Sequence, residues 1–158
     1  MNIELFKAAD KHKGASLVEI LQNCIIFNDG AWSYITDKEF KEDRQIIVEH
    51  GKPLIFGKNR DKGIILVGLK LRVADLGKNG VTEDDILVHN AHDPDPTLHL
   101  ALANMKSPDF PVALGVIRDV DAPTYEERIE NQIKEVQSKS TIKCMEDLMN
   151  SGNTWEVV

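Results

Sequence analysis

Few residues in this chain have an obvious capacity for chemistry. Cys24 and Cys144 stand far apart in the sequence, so they form no disulfide framework and each has to be weighed alone. A lone thiol after an apolar run is more often a small packed hydrophobe than a ligand. His89, His92, Asp93 and His99 together offer imidazoles and a carboxylate, a donor set that zinc takes readily. Their spacing is not that of a two-histidine helical motif, and Pro94 and Pro96 interrupt them. The expected arrangement is a loop whose aspartates cap a helix at Thr97 and whose histidines hydrogen-bond the backbone. A small zinc hydrolase using His89 and His92 is the contrasting reading. Glu19 breaks an apolar run, and a buried acid with a raised pKa is the usual form of a general acid or base. Its expected role is nevertheless structural. Trp32 and Tyr125 are expected to pack, since no basic patch accompanies either.

The elements that must hold these residues follow from periodicity. Ile3 to His12 has a helical apolar face, with Gly14 as its cap. Ser16 to Gln22 is nearly continuous in apolar residues, the pattern of a strand covered on both faces in a parallel sheet. Such a strand expects neighbours. Thr36 and Glu39 have the spacing of a capping box, which predicts a helix to Glu49 closed by Gly51. Pro53 to Phe56 and Ile64 to Val67 flank a polar turn, as in a hairpin, and Leu69, Leu71 and Val73 alternate with polar or small neighbours as in a half-wet strand. An antiparallel sheet is expected there. A helical turn at Thr82 to Asp85, a short strand at Ile86 to Val88, a helix through Leu98, Leu102 and Met105, and a strand at Val112 to Ile117 come next. Thr124 and Glu127 form a second capping box, opening a helix with Tyr125, Ile129, Ile133 and Val136 on one side. A final helix carries Ile142, Met145, Leu148 and Met149, and the acidic run Glu126, Glu127 and Glu130 is a solvated face.

Composition excludes several function classes. The 158 residues suffice for one domain or a large piece of one. The formal net charge is −7 and the cations are dispersed, which leaves no footprint for phosphate backbones. No apolar run approaches the roughly 18 residues of a membrane span, and no leader pattern opens the chain. Neither nucleic acid nor a membrane is an expected partner, and the expected compartment is the cytoplasm.

The segment from Gly14 to Gly30 contains VEI-x-QNC-x-IFNDG, which resembles a characteristic segment of beta subunits of the 2-oxoacid:ferredoxin oxidoreductases, nearer the 2-oxoglutarate than the pyruvate branch. The likeness continues at Pro53 to Gly57, Lys62 to Ile64, Gly68 to Leu71, Leu87 to His92 and Pro123 to Tyr125, in the family's order. The resemblance implies an α/β chain made of the terminal part of a thiamine-diphosphate-binding fold, residues 1–35, plus a mixed C-terminal α+β extension, residues 36–158. It further implies an enzyme that oxidatively decarboxylates a 2-oxoacid, passes the acyl group to coenzyme A and sends electrons through a cluster to ferredoxin. Thiamine diphosphate, Mg2+ and a cubane iron–sulfur cluster would be its cofactors.

On this resemblance Cys24 matches the family's fourth cluster ligand. The other three cysteines of the pattern, and the Gly-Asp-Gly-Asp segment that holds the diphosphate through a metal, are not in this sequence. Cys144 matches none of these positions. Four thiolates normally hold such a cluster. The expectation is therefore a C-terminal portion of a beta subunit, inactive and cofactor-free alone, with Met1 opening either a shortened piece or one half of a split subunit. Its expected partners are the remainder of the beta subunit and the alpha subunit, with ferredoxin for the complete enzyme. The rival is a stand-alone interaction module, or a dimer of this chain, docking through a sheet edge near Leu17.

Overall fold

Three consecutive β-branched residues, Ile46, Ile47 and Val48, decide the centre of the molecule. In the computed structural model, which describes residues 2–155 and 157, they lie in strand β1, Gln45–Val48. Met1, at which the expectation about the start of the polypeptide is aimed, lies outside the described residues. Ile46 and Val48 are buried while Ile47 is 44% exposed, the alternation of a strand with one covered face. β1 pairs in parallel with β5, Val112–Gly115, in the register Gln45 to Val112 through Val48 to Gly115.

This corrects the helix expected over Thr36 to Glu49. Two single-turn helices stand there instead, α2 at Ser33–Thr36 and α3 at Lys41–Arg44, and the chain then extends into β1. The Thr36 hydroxyl donates to the Trp32 carbonyl at 2.9 Å, and the Glu39 N–H donates to Asp37 Oδ1 at 2.9 Å. The hydroxyl and the N–H that the expected capping box would join are thus used in local turns. Restricted χ1 freedom makes β-branched residues poor helix formers and good strand formers, and here a distant partner strand is available.

The second sheet follows the expected pattern. β2, Ile55–Phe56, β3, Lys62–Val67, and β4, Lys70–Asp75, are antiparallel in the order β2-β3-β4. Gly68, at φ 63°, makes the tight turn between β3 and β4. The expected strand at Ile86 to Val88 is reduced to a bridge between Pro53 and Val88. Even so, Leu87 is held on both sides, its N–H donating to Ile64 and its carbonyl accepting from Leu54. The predicted turn at Thr82 is a 3-10 helix, Glu83–Asp85, with its capping box formed, and α4, Thr97–Ala103, ends before Pro108 as expected. Ile46, Val48, Leu54, Phe56, Ile64, Ile86, Leu102 and Met105 make one core between these elements. Each such side chain contributes about 1.5–3 kcal/mol on burial.

The clearest departure is at Ser16 to Gln22, which is no strand and belongs to no sheet. Leu17 is 95% exposed and Ile20 65%. An apolar strand needs neighbours to satisfy its backbone and cover both faces, and among the described residues the strands, all between Gln45 and Gly115, pair only with one another. The expected helix–strand unit therefore reduces to helix α1, Asn2–Lys11, followed by an irregular apolar ribbon. Among the described residues no sheet edge forms near Leu17.

The chain divides into two compact units, Met1–His12 with Ser16–Val120, and Lys13–Ala15 with Asp121–Val158. In the second, α5, Tyr125–Lys139, begins at the predicted capping box: Thr124 Oγ1 accepts from the Glu127 N–H at 3.2 Å and Glu127 accepts from the Thr124 N–H at 3.0 Å. Lys13 adds an ion pair to Glu127 at 2.9 Å. Tyr125 is 75% exposed rather than packed, as are Ile133 and Val136 in large part. The last helix, α6, is only Met145–Met149, so Ile142 precedes it.

Candidate functional site

Cys24 opens a closed polar turn. The Asn23 amide donates to Asp29 Oδ1 at 2.9 Å and accepts from the Gly30 N–H at 2.9 Å, while the Asn28 N–H donates to the Cys24 carbonyl. Trp32 braces the same turn through its indole N–H to the Gln22 carbonyl at 3.2 Å. The thiol is exposed rather than packed. Main-chain N–H groups of Phe27 above all, then of Ile26 and Asn28, are directed at the sulfur and hold its pKa below the usual thiol range by stabilising the thiolate. Ile25, Ile26 and Phe27 beside it are 78%, 80% and 90% exposed. A thiolate in such a turn suits one ligand position of an iron–sulfur cluster, since soft iron prefers thiolate. Among the described residues no group of three or more histidine, cysteine or acidic side chains is placed to hold a metal. Cys144 sits exposed at the start of α6. Glu19 is exposed and lacks the burial that its polar position in an apolar run suggested.

The histidine loop is arranged as the backbone-bonding reading expected. His89 Nε2 meets the Val116 carbonyl at 2.9 Å, His92 Nδ1 the Asp119 carbonyl at 2.6 Å, and His99 Nε2 the Asn90 carbonyl at 2.8 Å. Asp95 Oδ1 accepts from both the N–H and the hydroxyl of Thr97, at 2.9 and 2.6 Å, capping α4. Sequence reading missed four further members. The His50 ring lies tilted against that of His92 with centroids 4.4 Å apart, His12 meets Asp119 at 2.9 Å, and Arg118 reaches His99 at 3.1 Å. These partners lie between 19 and 107 positions apart along the chain, so no local spacing could announce them. A cavity of about 30 Å³ lies against His89, Asn90, Asp93 and His99, room for about one water.

Burial pushes the pKa of His89 down, as it disfavours the imidazolium, and the Val116 carbonyl only partly offsets this. The unfolded chain therefore takes up a proton at a pH where the folded chain does not. The stability contributed by neutral His89 is complete above about pH 6.5, the unfolded value, and is lost as pH falls toward the lower folded-state value. Urea unfolding at a series of pH values is expected to show midpoints declining below about pH 6.5, with a shallower decline in His89→Gln. A flat profile for the parent chain would contradict this.

Comparison with known proteins bears out the resemblance carried by the motifs, since the chain is similar to a 2-oxoglutarate oxidoreductase subunit. The similarity is to 2-oxoglutarate oxidoreductase subunit KorB of Mycobacterium tuberculosis (strain ATCC 25618 / H37Rv), 36% identical over 157 residues, which is 98% of this chain. The chain spans 41% of the length of that relative. No family model matches. No solved structure matches. Among the described residues no helix is long and apolar enough to cross a membrane.

Proposed function

We propose that this chain is the C-terminal portion of the beta subunit of a 2-oxoacid:ferredoxin oxidoreductase, with 2-oxoglutarate as the substrate of the complete enzyme. The observation that carries the reading is the match along 98% of the chain to a 2-oxoglutarate oxidoreductase subunit of which it spans 41%. Residues 1–35 close the thiamine-diphosphate-binding domain of that subunit, and residues 36–158 form its C-terminal domain. Cys24 is one thiolate of a cluster whose remaining ligands come from the rest of the subunit, and the cluster, when bound, accepts electrons bound for ferredoxin. The chain's own contribution is structural: the Asn23 clasp fixes the turn that presents the thiol. The apolar ribbon from Leu17 to Phe27, exposed here, becomes covered by the remainder of the subunit.

The test is co-expression, in the cytoplasm of a bacterial host, with a polypeptide carrying the diphosphate-binding segment and the three further cysteines. A stable joint product containing iron and sulfide is the expected result. The chain purified alone is expected to give no heat with thiamine diphosphate and Mg2+ in calorimetry. Micromolar affinity in the lone chain, or failure of the two polypeptides to associate, would sink the proposal.

A further inference from the structure

His99 is buried, and its two ring nitrogens have opposite duties. Nε2 lies 2.8 Å from the Asn90 carbonyl, which only accepts, so it carries the proton. Nδ1 lies 3.1 Å from Arg118 Nη1, which only donates, so it must be bare. The same guanidinium donates to the Asp93 carbonyl at 2.7 Å and to the Pro94 carbonyl at 3.3 Å. Arg118 thus ties the loop before α4 to the segment after β5, and it does so across an imidazole that must stay neutral. We propose that His99 and Arg118 form an acid-released latch: a proton on His99 Nδ1 replaces an acceptor by a donor facing the guanidinium, expels Arg118, and frees residues 93–96.

The surrounding charges set which end opens. Arg118 and His99 face Asp95 across the loop, and this carboxylate is held ionised by its bonds to Thr97. Its oxygen is engaged with Thr97 rather than with Arg118. His89, from the segment before the loop, lies edge-on to His99 at 6.1 Å. His50, from the segment after β1, accepts the Ala91 N–H at Nδ1, 3.2 Å away, and lies tilted against His92. Asp119 works in the other direction. Its carboxylate lies 2.9 Å from His12 and 3.9 Å from His92, contacts in which the carboxylate and not an imidazole is the acceptor, and its N–H donates to the Ala91 carbonyl at 2.8 Å. The end of the loop at Ala91 and His92 therefore stays tied while the end at Asp93 to Pro96 swings free, exposing the cavity beneath.

Backbone order parameters measured by NMR on the 158-residue chain test this. At about pH 7.5 the amides of Asp93 and Asp95 are expected near the value of about 0.85 shown by rigid backbone, falling below about 0.6 near pH 5 while β3 and β4 keep theirs. His99→Gln supplies an acceptor for Arg118 and a donor for Asn90 without titrating, so it is expected to keep Asp93 and Asp95 rigid at both pH values. The latch is refuted if the parent loop stays rigid in acid, or if the Gln variant loosens as the parent does. Nitrogen-15 ring spectra of the parent give a check independent of any variant: a protonated Nδ1 on His99 at neutral pH also overturns the proposal.

Discussion

Replacing Gly115 by alanine is expected to unfold much of the first unit at temperatures the parent withstands. Gly115 ends β5 at φ 128°, a conformation that residues with a Cβ rarely adopt. A Cβ built there would stand 2.4 Å from the carbonyl oxygen of Val48, its partner in the parallel ladder, and 3.3 Å from Val48 Cγ2. The obstructing atom is backbone, so relief requires the strands to separate. Strain at such a position costs about 1–3 kcal/mol and forced overpacking about 1–3 more. Those sums are a large share of the roughly 5–15 kcal/mol that keeps a domain folded. Chemical denaturation followed by circular dichroism reads the effect directly. Gly77→Ala serves as the comparison, because that glycine also has positive φ but no atom within 4 Å of an added Cβ. If the two variants lose equal stability, close approach between β1 and β5 is not what selects glycine at 115.

Cys24→Ser, introduced into the reassembled subunit described under the proposed function, is expected to deplete iron and sulfide by at least about tenfold, the lower end of what losing even an outer-shell partner costs a metal site. The sulfur is exposed and its neighbouring N–H groups favour the thiolate, so a serine oxygen there keeps the turn but is a poor ligand for soft iron. The same substitution in the chain alone is expected to alter stability by less than about 0.5 kcal/mol, as for other exposed positions. Cys144→Ser is expected to leave the iron content unchanged. Full cluster content in the Cys24 variant would remove Cys24 from the ligand set while leaving the association of the two polypeptides intact.

The proposed covering of the Leu17 to Phe27 ribbon also explains why the sequence and the structure disagree there. Its composition reads as a fully buried strand, yet four large side chains in it, Leu17, Ile25, Ile26 and Phe27, are 78–95% exposed. Hydrophobic periodicity reports what a segment needs around it and carries no information about whether the same polypeptide supplies it.

Elements stabilised by their own residues were legible from the sequence. The α5 capping box, the antiparallel β2–β3–β4 meander and the aspartate cap on α4 all form where read, because their partners lie within a few positions or across a tight turn. The motif blocks likewise carried a resemblance that the similarity to a 2-oxoglutarate oxidoreductase subunit bears out. Tertiary structure decided the rest. Gln45 to Val48 became a strand rather than a helix because Val112 to Gly115 lies alongside it. The loop histidines became a hydrogen-bonded cluster because Arg118, Asp119, His12 and His50 arrive from distant positions. A hydrogen bond with a neighbour in sequence needs little chain closure and leaves a local pattern, whereas one made across tens of residues depends on the whole core bringing two segments together.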